Sequence, residues 1–187
     1  MIKPILARSL SELSELLPRV AALDAQLQRL GQAMLDCWKK RGKVLIAGNG
    51  GSAADAMHLA EELSVRFQKN RKALAAMALC DPTVITCAAN DFGYESVFSR
   101  QVEAFGNPGD IFIAITTSGN SANVLRAANM AKSLGLITAC FIGKDGGKIK
   151  GLCDIELLVP SPVTARVQEA HKLLFHVLCE WIESQVD

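Results

Sequence analysis

Apolar residues near the start of the chain fall three or four positions apart: Leu10, Leu13, Leu17, Val20, Leu23, Leu27, Leu30, Met34 and Trp38. That spacing draws one stripe along an α-helix, and so long a stripe needs a surface to pack against. Pro18 interrupts it, and a residue with no N–H and a ring that crowds the preceding turn predicts two helices or a bend there. From Lys43 the pattern changes. The runs "KVLIAG", "LAAMAL", "DIFIAIT", "ITACFIG" and "DIELLVP" are short and continuously apolar, with helical periodicity over Ser52 to Arg66, from Thr83, from Tyr94 and over Ser121 to Ser133. A final helical stripe covers about Ala165 to Ser184. Strands apolar on both faces, alternating with helices, predict a doubly wound α/β domain around a five-stranded parallel sheet. The whole chain forms one domain on this reading: 1–41 as N-terminal helices, 42–160 as the α/β core and 161–187 as the C-terminal helix. Long amphipathic helices outside the repeat could wrap the same sheet, but their presence at both ends of the chain favours packing between subunits into a helical bundle.

Composition narrows the class. A length of 187 residues suits one domain with a substantial core, and half the residues are hydrophobic. The formal net charge of +1 gives no reason to expect a nucleic-acid partner. No apolar run approaches the ~20 residues of a membrane span, and "MIKPILARSLSELSELL" carries acids and no signal-peptide core, so a cytoplasmic protein is expected. Six cysteines, Cys37, Cys80, Cys87, Cys140, Cys153 and Cys179, are scattered without C-x-x-C or metal-type spacing, and read as reduced packing residues.

In a doubly wound domain the ligand lies beyond the carboxyl ends of the strands, where their order switches, which singles out the loops at 48–52 and 116–121. Gly48, Gly50 and Ala53 of "IAGNGGSAADAMH" satisfy the spacing of a dinucleotide-binding turn. The acid that such a turn needs about 20 residues on is missing, however, since the first acid after the second strand is Asp81. A smaller ligand fits the pattern better. The loop "ITTSGNSANV" gathers Thr116, Thr117, Ser118 and Ser121 around Gly119, between a strand and a helix N-terminus. Unpaired N–H groups, a positive dipole end and several hydroxyls together favour a phosphate monoester over a plain capping turn. All three histidines, His58, His171 and His176, fall on predicted helices. His58 and Glu62, four apart, share a helix face that begins at the glycine loop, with Glu61 nearly as well placed.

With "AGNGGSAADAMHLAEEL", "ANDFG", "TTSGNSANV", "GKDGG" and "RVQEAHKLLFH" in one order over essentially its whole length, the chain resembles the sugar isomerase (SIS) domain family, most closely its branch of heptose-phosphate isomerases. The resemblance implies a flavodoxin-like strand order and a homotetramer with active sites between subunits. It also implies conversion of sedoheptulose 7-phosphate to D-glycero-D-manno-heptose 7-phosphate through an enediol, the first step of bacterial ADP-heptose synthesis for the lipopolysaccharide core. Carried over by motif, Asn49, Gly50, Gly51, Ser52, Asn90 and Asp91 line the sugar. Thr116, Thr117, Ser118 and Ser121 hold the phosphate, with Arg66 as a charge partner. Glu62 is the expected base and His176 the expected acid. One Zn²⁺ per subunit is implied at His58, Glu62, Gln168 and His176, with Gln168 also touching substrate, while His171 receives no role. Gln168 and His176 lie eight residues apart, ~12 Å along one ideal helix. Either the helix starts after Gln168, or the set combines copies from different subunits. Some family members are adaptors for the replication initiator, or sugar-phosphate sensors. In the initiator-binding branch the acid and the last histidine are replaced, and all four residues here are present, which favours the enzyme.

Overall fold

The computed structural model describes residues 2–186. Their order is α1 (Lys3–Ala21), α2 (Asp24–Lys39), β1 (Val44–Gly48), α3 (Gly51–Ser64), β2 (Ala76–Ala78), α4 (Pro82–Phe92), α5 (Ser99–Phe105), β3 (Ile111–Thr116), α6 (Ala122–Ser133), β4 (Ile137–Gly143), β5 (Ile155–Val159) and α7 (Thr164–Glu183). The strands pair in parallel in the order β2-β1-β3-β4-β5. The predicted doubly wound sheet is therefore present. Its order turns back between β1 and β3, and the loops that follow these two strands flank the resulting crevice.

Side chains alternate across the sheet as the pleat requires. Val44, Ile46, Ile111, Ile113, Ile115 and Phe141 face a core closed by α1, α2, α3 and α7. Leu45, Ala47, Phe112, Ala114, Cys140 and Ile142 face the other core, with α4, α5 and α6. Because both faces are covered, the strands read as unbroken apolar runs.

Three boundaries differ from the sequence expectation. Pro18 does not split the first helix, which continues through it to Ala21. Pro18 and Ser14, whose carbonyl loses its donor, both lie on the exposed side, where water can replace the missing bond. The break falls at Ala22 and Leu23 instead. "LAAMAL" pairs only over Ala76–Ala78, because β2 is the sheet's edge, although Leu74 and Leu79 still bury their side chains. The helical stretch expected from Tyr94 is a single 3₁₀ turn, Tyr94–Ser96, followed by α5.

The terminal helices also do more within the chain than expected. Leu27, Leu30 and Met34 of α2 and Val167, Leu174 and Leu178 of α7 belong to the core beneath the sheet. The most exposed large apolar side chains of these helices lie on the first half of α1, where Ile5, Leu6 and Leu10 are each more than half exposed. Of the cysteines, all free, Cys37, Cys140 and Cys179 are buried as expected, but Cys87 is exposed, its thiol 3.6 Å from the Asp91 carboxylate. Burial pushes the Cys37 thiol up to about 11, and burial together with the nearby Glu62 carboxylate pushes Cys179 up to about 12, so these remain inert thiols.

Candidate active site

The crevice between β1 and β3 is built from amides and hydroxyls. Asn49, which follows β1, exchanges two hydrogen bonds with Asn123 of α6, at 2.9 and 2.8 Å. The Asn123 side-chain Oδ1 also accepts the Val124 N–H, and the Tyr94 hydroxyl donates to Asn49 Oδ1 at 3.1 Å. Two successive strand ends and the connection after α4 are thus laced together at the switch point. Asn123 is 3% exposed and Tyr94 is its route to the rim, and the sequence reading gave neither a role. Their signal was present, since Asn123 stands inside "TTSGNSANV" and Tyr94 directly follows "ANDFG". Asn90 and Asp91 themselves lie exposed on the last turn of α4, where Asn90 donates to the Asp91 carboxylate at 2.8 Å.

Helix α3 starts at this edge without any side-chain cap, Gly50 taking a positive φ of 55°. Gly51 lies against α7, where a Cβ would meet the Gln168 amide at the end of its flexible side chain. Ser52 is buried beside it. The second loop is shaped by its own hydroxyls: Thr116, 4% exposed, accepts the Gly119 N–H at 3.2 Å, and Ser118 accepts the Asn120 N–H at 3.2 Å. Gly119 has φ 66°, and the Gly146 carbonyl of the "GKDGG" turn occupies the place of its Cβ. Thr116 therefore fixes the loop from below. Thr117, Ser118 and Ser121 are partly exposed, and Ser121 sits at the N-cap of α6 without bonding an N–H of that helix. A capping turn would use that hydroxyl internally, whereas here it stays out of the cap at the positive end of the helix, where an anion is favoured.

Further along α3 stands a second constellation. His58 Nε2 lies 3.0 Å from Glu62 Oε1. The His58 ring meets that of His176, on α7, edge to face at 5.2 Å. One ligand atom from each of His58, Glu62 and His176 can be chosen so that all lie within 4.8 Å of one another. Two imidazoles and a carboxylate at that separation suit a divalent zinc ion with a fourth position open. Glu61 faces away, exposed, so the pairing left open by spacing resolves to Glu62. Cys179, one turn beyond His176, stays outside the group.

Helices α3 and α7 run side by side in the same direction, with Gly51 against Gln168, Asp55 paired to Lys172 at 3.2 Å, and His58 against His176. Both Gln168 and His176 belong to one continuous α7, so a helix starting after Gln168 is excluded. Gln168 accordingly sits at the glycine loop, about 12 Å along the same α7 from His176. Arg66 is also far from the loop it was paired with. It lies exposed beyond the far end of α3, about 20 Å of helix from Ser52. His171 is fully buried, edge-on to Phe141, and lies outside the His58, Glu62 and His176 cluster.

A model of the SIS domain family matches residues 10–143. The phosphoheptose isomerase of Paramagnetospirillum magneticum is 56% identical over 165 residues, 88% of this chain and 86% of that protein. That of Vibrio parahaemolyticus is 43% identical over the full length of both. The solved structure of the phosphoheptose isomerase from Neisseria gonorrhoeae matches with a TM-score of 0.92 at 39% identity, covering 98% of this chain and all of that one.

Proposed function

We propose a reaction on the premise that this chain belongs to the SIS domain family and, within it, to the phosphoheptose isomerases: it converts sedoheptulose 7-phosphate to D-glycero-D-manno-heptose 7-phosphate. The observation that carries the proposal is the convergence of His58, Glu62 and His176 on two helices whose other contacts lead to a loop of free hydroxyls. The chain is a sugar-phosphate isomerase, and these side chains supply what such an exchange consumes.

In the ketose, C2 is the carbonyl carbon and C1 carries the proton to be moved. Glu62, as carboxylate, takes a proton from C1 while the His176 imidazolium gives one to the C2 oxygen, leaving an enediol. Returning the carbon-bound proton to C2 and withdrawing one from the C1 hydroxyl gives the aldose, with no net change of protons or electrons. Thr117, Ser118, Ser121 and the N-terminus of α6 hold the phosphate, with Thr116 shaping their loop. Asn49, Gly50, Gly51, Ser52, Asn90 and Asp91 bound the sugar. Where Zn²⁺ is held by His58, Glu62 and His176, it would polarise the carbonyl and offset charge on its oxygen in place of the His176 proton.

Within one chain Glu62 lies ten residues, ~15 Å of helix, from Ser52, and Arg66 lies farther still. This separation supports a homotetramer in which the phosphate loop of one subunit serves another's cluster, with Gln168 and Arg66 completing sites across the interface. The reaction would feed bacterial ADP-heptose synthesis in the cytoplasm. No helix of the described residues is long and apolar enough to cross a membrane.

Glu62→Gln and His176→Gln are each expected to lose turnover of sedoheptulose 7-phosphate by at least about 10²-fold while keeping the parent's circular dichroism and oligomeric state. NMR observation of the anomeric proton, with and without zinc, reads the product. Parental turnover in either variant would remove the acid and base assignment.

A further inference from the structure

The segment that joins α3 to β2 carries a buried ion pair that the reaction as described leaves unused. Arg71 and Glu183 meet at 3.1 Å, their side chains only 2% and 3% exposed. Burial alone would raise the Glu183 pKa, yet the N–H groups of Lys69, Gln68 and Phe67, with the Arg71 guanidinium, hold it below the ordinary carboxylate value. Those three N–H donors reach the carboxylate at 3.0, 2.9 and 2.8 Å. Arg71 in turn donates to the backbone carbonyls of Glu62, at 2.6 Å, and Leu63, at 2.9 Å. These are among the last carbonyls of α3, which have no helical partners, and the guanidinium sits at the negative end of that helix. The captured segment begins at Phe67, whose ring stacks on His176 at 5.6 Å and 26°.

We infer that Arg71 and Glu183 are positioning residues for the His58, Glu62 and His176 cluster. One end of the network fixes the last turn of α3, which carries Glu62. The other end clamps residues 67–69, so that the Phe67 ring sets the plane of the His176 imidazole. Neither charge touches the reacting atoms. Because two buried charges neutralise each other and each guanidinium nitrogen has a partner, the clamp is rigid in a way that an apolar contact would not be. The inference rests on the isomerase reading of the cluster and adds to it the groups that keep its two helices in register.

The test uses Glu183→Gln, Arg71→Lys, Phe67→Leu and Phe67→Tyr in the full chain. The His176 ring Cε1–H resonance, identified by its loss in His176→Gln, reports ring placement without turnover. Glu183→Gln, Arg71→Lys and Phe67→Leu are expected to shift that resonance, and Phe67→Tyr to leave it near the parent's. On sedoheptulose 7-phosphate the three shifted variants lose at least about tenfold in kcat with KM held within about twofold, and Phe67→Tyr keeps the parent's kcat. If Glu183→Gln does not fold, Arg71→Lys, which keeps the charge and loses the fork of donors, carries the same comparison. An unmoved His176 resonance in folded Arg71→Lys or Glu183→Gln overturns the positioning role, as does parental kcat in both. A parent without turnover, whose resonance still shifts in the variants, supports the clamp and overturns the isomerase reading.

Discussion

His171 and His176 stand five residues apart on α7 and meet opposite surroundings. His176 is partly exposed between His58 and Phe67. His171 is fully buried, its Nε2 3.4 Å from the Ile142 carbonyl and its Nδ1 without a partner. Burial, only partly opposed by that carbonyl, depresses its pKa from 6.5 to about 4. The unfolded chain thus takes up a proton at His171 between pH 6.5 and 4 that the folded chain refuses. Stability from this residue is complete above pH 6.5 and is lost as pH falls toward 4. His171→Leu should flatten that limb of the stability curve in denaturant titrations across the window. An unchanged slope would show that other groups set it. The i, i+4 spacing made the His58 and Glu62 pair legible in the sequence, but the pattern cannot distinguish these two histidines, since both lie on a long helix and their fates depend on what packs above them. Arg71 and Glu183 were invisible for the same reason: 112 residues separate them, and neither stands in a recognisable motif.

At the scale of elements, the close approach of α2 to α7 depends on one missing side chain. A Cβ on Gly31 would lie 2.5 Å from the Trp181 ring. Alanine at a helix interior ordinarily gains about 0.5–1 kcal/mol over glycine. Overpacking a tight contact costs about 1–3 kcal/mol, so Gly31→Ala should lower the urea midpoint without changing the slope. A raised midpoint would mean that Trp181 moves aside at little cost. Continuous apolar runs announced β1, β3 and β4, because strands covered on both faces leave no polar alternation to mistake, whereas the edge strand β5 carries Glu156 and alternates in burial. Less visible were the ends. Edge position shortens β2 to three residues, and solvent on the Pro18 face lets α1 pass through a proline that would stop a buried helix.

The whole molecule sets the glycine loop apart from the histidine cluster along α3 and leaves Ile5, Leu6 and Leu10 exposed on α1. If sites are shared between subunits as proposed, a Glu62→Gln chain and a Ser118→Ala/Ser121→Ala chain, each inactive alone, should recover part of the parent's turnover after being unfolded and refolded together. No recovery in mixed oligomers would place each complete site within one chain. The sequence pattern indicated that the terminal helices had a partner but not which one, since the same stripe serves a sheet or a neighbour. Most of it serves the sheet. The parallel run of α3 beside α7 has its own consequence for how such chains can vary. Gln168, Lys172, His176 and Glu183 meet α3 or the segment just after it. Inserting or deleting one residue between Gln168 and Glu183 would turn the remainder of α7 by ~100° and withdraw every contact on one side of the change at once. Substitutions along these helices can be absorbed singly. Changes of length there cannot, so gaps among functional relatives should fall in the surface loops and spare this stretch of α7.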